Sequence, residues 1–258
     1  MSMMNLIDTH AHIYLSEFEK DIDEIINQSI EVGIEKIFMP NIDGSSIDDM
    51  LHLEKIYENY CHPMIGLHPC YVKENYKEEL DIIASWLEKR KFCAIGEIGI
   101  DLYWDKSFLE AQKIVFETQI NWAKDHEIPI IIHCRDSIDM TIDIVKKNQN
   151  GKLKGIFHCF SGDAQHARRI VDLNFILGIG GVVTFKNGGL DKVIPHVNLK
   201  NIVLETDSPY LAPSPFRGKR NKPSYIYHIA NRVAELKDCE ITEVAQVTTE
   251  NSKNIFKV

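Results

Sequence analysis

Residues 129–136 read Pro-Ile-Ile-Ile-His-Cys-Arg-Asp. Three consecutive β-branched residues leave no polar face, so the run predicts a strand covered on both sides, with Pro129 tolerated at its start. Polar residues follow only at its C-terminal end. A strand of this kind belongs to a parallel α/β sheet.

Working outward, similar short runs recur along the chain. Strands are predicted at Leu6–His10, Lys36–Pro40, Pro63–Leu67, Phe92–Glu97, Ile130–His133, Gly155–Cys159, Phe175–Ile179 and Asn201–Glu205. Amphipathic helices lie between them. Phe18–Val32 sets Ile22, Ile25, Ile26, Ser29 and Ile30 along one stripe, and Gly33 stops it. Phe108–Lys124 places Phe116, Ile120 and Ala123 on one side. Ser16-x-x-Glu19 and Ser107-x-x-Glu110 read as capping boxes. Two further helices are expected near Pro223–Leu236 and Thr242–Phe256. No Gly/Ser-rich or Pro-rich linker interrupts the series. Eight strand-then-helix units predict an α/β fold: one TIM (β/α)8 barrel domain over residues 1–258, with extra C-terminal helices. An open doubly wound sheet is the structural alternative. The lack of G-x-G-x-x-G after the first strand weakens its dinucleotide-binding form. Gly178-Ile179-Gly180-Gly181 reads instead as a tight turn or a close backbone approach.

The composition of the 258 residues, 44% apolar and 26% charged, excludes collagen-like, disordered and low-complexity chains. The net charge of −9 argues against a protein that coats DNA with a basic surface. Charge is uneven: residues 1–128 carry 11 basic and 25 acidic side chains, residues 129–258 carry 18 and 13, which leaves room for an anionic ligand approached from the second half. None of the six cysteines forms a C-x-x-C pair, so they are expected to be buried free thiols in a reducing cytosol. No apolar stretch approaches a membrane span, and no signal-like segment precedes Asp8, so a cytoplasmic protein without membrane contact is expected.

Polar residues gather at the ends of these strands. His10 and His12 close the first in Asp8-Thr9-His10-Ala11-His12, and His68 follows the third in Gly66-Leu67-His68-Pro69. Glu97 ends the fourth, His133 the fifth, His158 lies near the end of the sixth, and Glu205 and Asp207 end the eighth. In a barrel all of them meet at the C-terminal rim, where barrel enzymes assemble their sites. Residues 10 and 12 point to one side of an extended strand, as two imidazoles chelating a metal must. Nitrogen and oxygen donors without thiolate suit Zn, Mn, Fe or Mg. The donors exceed the needs of one tetrahedral ion. Two divalent ions per chain are therefore expected, one on His10, His12, Glu97 and Asp207, the other on Glu97, His133 and His158, with Glu97 bridging. Cys134 and Cys159 should turn away from the site by strand alternation.

The motifs Asp8-Thr9-His10-Ala11-His12, Gly66-Leu67-His68-Pro69, Gly96-Glu97-Ile98-Gly99-Ile100-Asp101, Ile132-His133-Cys134-Arg135-Asp136, His158-Cys159-Phe160-Ser161-Gly162 and Leu204-Glu205-Thr206-Asp207-Ser208-Pro209-Tyr210-Leu211 resemble the TatD-like metal-dependent deoxyribonucleases, in that family's order and over essentially the whole chain. Arg217-Gly218-Lys219-Arg220-Asn221 continues the match. The resemblance implies a TIM barrel of the metal-dependent hydrolase superfamily, hydrolysis of DNA phosphodiesters (3′–5′ exonuclease-like, with a place in DNA repair), and Mg, Mn or Zn as cofactor. It carries metal binding to His10, His12, Glu97, His133, His158 and Asp207, and site roles to His68 and Glu205.

A hydroxide held beside Glu97 would attack phosphorus in line, with Asp207 taking the water's proton and Glu205 in support. His68 would donate a hydrogen bond to the phosphate or the leaving oxygen. Arg135 is expected to bind phosphate, with Arg217 of the basic run at 216–222 and Lys186 as further substrate contacts. The expected partner is DNA, single-stranded or at its ends, bound by a monomer or weak oligomer. Two other readings stand beside this one: a hydrolase of the same architecture acting on a small amide, ester, lactone or aminoacyl bond, and a non-catalytic binding module. Six convergent metal donors argue against the last.

Overall fold

The apolar runs form eight parallel strands among the described residues, 4–258 of this computed structural model: β1 (Leu6–Asp8), β2 (Ile34–Pro40), β3 (Cys61–Met64), β4 (Ile95–Asp101), β5 (Ile130–Arg135), β6 (Gly155–Phe157), β7 (Phe175–Ile179) and β8 (Ile202–Leu204). Neighbours in sequence pair as neighbours in space, β1 to β3 in one run and β4 to β8 in another. Backbone hydrogen bonds join both seams. Ile65 N donates to Ala94 O (3.2 Å) and Gly96 N to Ile65 O (2.9 Å). At the other seam Thr9 N donates to Leu204 O (3.1 Å), Asp207 N to His10 O (2.9 Å) and His12 N to Ser208 O (2.7 Å). The fold is a TIM barrel.

The crossovers are α1 (Ile22–Glu31), α2 (Ile47–Ile56), α3 (Tyr76–Lys89), α4 (Leu109–His126), α5 (Ile138–Asn148) and α6 (Ala164–Asp172), followed after β8 by α7 (Ile226–Lys237) and α8 (Ile241–Phe256). No helix among the described residues is long and apolar enough to cross a membrane. Alternation along the strands separates two cores. Residues such as Leu6, Ile37, Ile130, Ile132 and Leu204 pack under the helices. Ile7, Phe38, Met64, Ala94, Ile131, Ile156 and Val203, one from each of seven strand segments, form a second cluster with Ile255 and Phe256 of α8. This inner layer plugs the barrel, and the Phe38 and Phe256 rings stack at 3.7 Å. Two residues further along the same strands stand His133, His158 and Glu205. The apolar plug is therefore the floor on which the polar layer rests.

Several sequence expectations need correction. Glu97 does not end its strand: β4 starts at Ile95 and runs on to Asp101, whose N–H is satisfied by Gln112 Oε1 (2.9 Å). The first, third, sixth and eighth strands stop short, at Asp8, Met64, Phe157 and Leu204. Neither expected capping box forms. Ser16 opens a separate 3-10 turn and its hydroxyl contacts Glu17, while Ser107 bonds to Asp105. The boxes present are Asp43 with Ser46 and Asp163 with His166. On α1 the covered face ends at Ser29, leaving Ile30 50% exposed. All six cysteines are unpaired as expected, but only Cys61 is fully buried.

Glycine carries two close approaches beside the site. Gly99 has φ +143°, and a Cβ there would lie 2.0 Å from the His133 carbonyl oxygen. At Gly178 a Cβ would meet the Glu205 carboxylate at 2.2 Å, the close approach that the Gly178–Gly181 run suggested. Gly99→Ala is expected to cost about 2–4 kcal/mol, combining overpacking and backbone strain. Gly151→Ala, at φ +84° but with nothing within 4 Å, should cost only about 1 kcal/mol. Thermal denaturation of the two variants checks this; equal losses would show that the contact with β5 is not what requires glycine.

Candidate metal centre

Glu97 is buried at the centre of the polar layer, and its two oxygens face different neighbours. Oε2 lies 3.1 Å from His10 Nε2 and 3.6 Å from His12 Nε2. Oε1 lies 2.8 Å from His133 Nδ1, 3.4 Å from His68 Nε2 and 3.7 Å from His158 Nε2. Asp207 Oδ1 closes the ring, 3.8 Å from the Nε2 atoms of His10 and His12 and 3.7 Å from that of His158. Side chains from the ends of β1, β3, β5, β6 and β8, with Glu97 from within β4, thus converge. Donor atoms of His10, His12 and Glu97, of His10, His158 and Asp207, and of His68, Glu97 and His133 each lie within 4.8 Å of one another.

Polar contacts behind four of the five imidazoles decide which nitrogen of each is free. Pro40 O can only accept, so His12 Nδ1, 3.2 Å away, donates to it and leaves Nε2 as a lone pair. Tyr14 donates to the same carbonyl at 2.7 Å. His133 Nε2 is held at 2.8 Å by Asp101 Oδ2, freeing Nδ1 toward Glu97. Glu205 Oε1 stands 2.9 Å from His158 Nδ1, leaving Nε2 toward Glu97 and Asp207. Such partners orient a metal-binding imidazole and raise its basicity. His68 is the opposite case. Its Nδ1 accepts from Cys70 N (3.0 Å), so the neutral ring carries its proton on Nε2 and acts there as a donor.

Electrostatics follow from this crowding. Burial alone would raise the Glu97 pKa, but His68, His10 and His158 more than reverse it and hold the carboxyl well below the usual range. Burial would lower His133 and His158, yet Asp101 and Glu97 raise the first to about 9, and Glu205, Glu97 and Asp207 raise the second to about 10. His10 is driven well below its ordinary value by burial and by His158. Burial pushes Asp207 up to about 6 against the pull of His158 and His12.

The residues fit divalent cations. His10 Nε2 and His12 Nε2 face each other at 3.2 Å, and the His12 atom is a lone pair, so the pair must share either a proton or a cation. The set is nitrogen and oxygen with carboxylates that face imidazoles from two sides, as Zn, Mn or Mg sites require. His10, His12, Glu97, Asp207, His133 and His158 all present an atom to this space.

Three residues central to this arrangement were not singled out from the sequence. Asp101 was quoted within a motif but given no role. Asp8, buried and pushed up to about 8 by that burial, accepts from His10 N (3.2 Å), Thr206 N (2.9 Å) and the Thr206 hydroxyl, tying β1 to the segment that carries Asp207. Pro40 acts only through its carbonyl, which no side-chain motif reveals. One expectation fails at Cys159. Cys134 packs against the outer core as alternation requires, but the strand ends at Phe157 and Cys159 has φ +47°, so its sulfur shares the neighbourhood of His158 and Glu205.

The expected substrate residues stand further out. Arg135 lies over the Tyr103 ring at 3.6 Å, and Arg217 over Phe185 at 3.6 Å. Lys186 is exposed beside Asp191, Ser214 and Arg232. The basic run is partly committed: Arg220 pairs with Asp21 and Lys222 Nζ bonds to Gln28 Oε1 (2.5 Å).

A TIM barrel with five imidazoles and three carboxylates gathered at its C-terminal face is the architecture of a metal-dependent hydrolase. A family profile described as TatD related DNase matches residues 7–257. This chain belongs to the TatD family. It is 39% identical over 254 residues to the uncharacterized metal-dependent hydrolase YabD of Bacillus subtilis, covering 98% of this chain and 99% of that one. It is 30% identical over 255 residues to YjjV of Escherichia coli, likewise described as an uncharacterized metal-dependent hydrolase, covering 98% of each. The crystal structure of YjjV, a TatD homolog, superposes with a TM-score of 0.93 at 29% identity over 99% of each chain. A hydrolase TatD family protein from Entamoeba histolytica shares the fold, with a TM-score of 0.84 at 22% identity over 98% of this chain and 99% of that one.

Asp101→Asn keeps the shape but removes the carboxylate behind His133. Metal affinity, measured by titration with Zn or Mn, is expected to fall about 10- to 100-fold with the circular dichroism spectrum unchanged. An affinity equal to the parent's would remove Asp101 from this role.

Proposed function

We propose that the chain is a divalent-metal-dependent deoxyribonuclease, 3′–5′ exonuclease-like, acting on single strands or ends of DNA. The observation that carries the reading is the division of the Glu97 oxygens, one toward His10 and His12 and the other toward His133 and His158. That division suits a carboxylate shared between two cations. Two cations so placed would lower the pKa of a water, bind a phosphate oxygen and neutralise charge that develops at phosphorus.

The chain's own groups supply the rest. Asp207, at the edge of the ring and raised by burial, is the base that takes the proton of the attacking water on its carboxylate. Glu205 stands 2.9 Å from His158 Nδ1 and accepts from Cys159 N, which places its charge behind the imidazole and gives it a supporting role through His158. His68 presents Nε2–H toward the centre, where a phosphate or leaving oxygen can accept it. Arg135 and Arg217, both exposed and each with its guanidinium carbon 3.6 Å from an aromatic centroid, offer N–H groups that can meet phosphates.

A second reading has one observation in its favour. Arg220 and Lys222 are turned to Asp21 and Gln28, so the cationic surface beside the site is smaller than the sequence suggests. A hydrolase of a small amide, ester, lactone or aminoacyl bond would need no more.

Labelled single-stranded DNA incubated with Mg or Mn, with and without EDTA, separates the two. The nuclease reading expects metal-dependent shortening, abolished in Glu97→Ala, and a raised KM with nearly unchanged kcat in Arg217→Ala. Intact DNA beside cleavage of a carboxylic ester or amide would overturn it.

A further inference from the structure

Exposed aromatic rings are concentrated around the metal centre. Among the described residues the exposed aromatics are Tyr71, Tyr103, Trp104, Tyr210 and Tyr227, and all but the last sit on loops that follow β3, β4 or β8. Trp104 is 71% exposed and Tyr103 53%. Large rings left in water at the mouth of a site mark a surface that meets a ligand.

Tyr103 and Trp104 are also rigidly fixed to that centre. The two rings meet edge to face with centroids 4.9 Å apart. Their backbone N–H groups both donate to Asp101 Oδ1, at 2.9 and 3.2 Å. The other oxygen of the same carboxylate holds His133 Nε2. Buried Gln112 clamps Asp101 from behind through both its N–H and its carbonyl. One carboxylate thus sets the aromatic pair and a site imidazole together. The Arg135 guanidinium covers a face of Tyr103, 3.6 Å from its centroid, and stands 5.5 Å from the Trp104 centroid.

We propose that the Trp104 ring, propped edge-on by Tyr103, is a stacking platform for a nucleobase of the substrate strand, with Arg135, seated on Tyr103, beside it for a neighbouring phosphate. The inference deepens the nuclease reading and rests on it for the identity of the ligand. A planar base fits the exposed Trp104 ring, every base has a stacking face, and the cation 5.5 Å from that ring's centroid matches the backbone of a single strand. Duplex DNA, whose bases are already stacked, would gain nothing here without fraying. Asp101 and Tyr103 are positioning residues, and the Trp104 ring is the contact.

Binding of a dye-labelled oligothymidylate of about six nucleotides, followed by anisotropy, tests the platform alongside KM for its hydrolysis. The comparison ligand is a base-free strand of the same length. Trp104→Ala is expected to weaken oligothymidylate binding about tenfold or more and to raise KM, leaving the base-free strand unaffected. Trp104→Phe, which keeps a ring, should restore binding close to the parental value. Equal losses on both strands, or no loss on either, would overturn the platform. A parent that hydrolyses no DNA but binds the base-bearing strand through Trp104 would sink the nuclease reading and leave the platform standing. A parent that hydrolyses DNA with KM unmoved by Trp104→Ala would do the reverse, and a parent that binds neither strand would end both.

Discussion

The structure turns on a carboxylate buried among imidazoles. An ionised Glu97 in an apolar barrel would be costly to hold unless paired on every side. Here it faces His10 and His12 through one oxygen and His68, His133 and His158 through the other. Those contacts keep it ionised, and they make the same atoms a ready cation site. Stability and chemistry therefore draw on one arrangement, which sits above an apolar plug capped by Phe256.

The surrounding shell gives four of the five imidazoles a defined role. Pro40, Asp101 and Glu205 each engage one nitrogen of His12, His133 and His158, leaving the other turned inward. Cys70 N does the opposite for His68 and makes it a donor. The chain thus distinguishes four similar side chains by what stands behind them. Asp8 extends the logic to the backbone: through Thr206 it fixes the segment carrying Asp207 against the one carrying His10.

Much of this was legible in the sequence. Continuous apolar runs such as Ile130-Ile131-Ile132 declare strands with two covered faces, and their regular spacing declares the barrel. The inward aim of His133 and His158 follows from period-two alternation. What could not be read lies where local rules yield to long-range contacts. Strand β4 passes beyond Glu97 because Gly99 lets it hug β5 and Gln112 satisfies Asp101. Cys159 escapes alternation because its backbone turns left-handed just past the strand. The capping boxes misled because Ser107 found a nearer partner in Asp105 and Ser16 opens a 3-10 turn in place of the helix. The basic run looked freer than it is, since Asp21 lies nearly 200 positions away from Arg220 in the chain.

The central claim is that cations sit on either side of Glu97. Anomalous diffraction from crystals soaked in Mn or Zn tests it most directly. Two peaks are expected flanking the Glu97 carboxylate, one within coordinating distance of His10 and His12, the other of His133. An empty centre at full metal occupancy elsewhere, or peaks bound only to surface carboxylates, would contradict it.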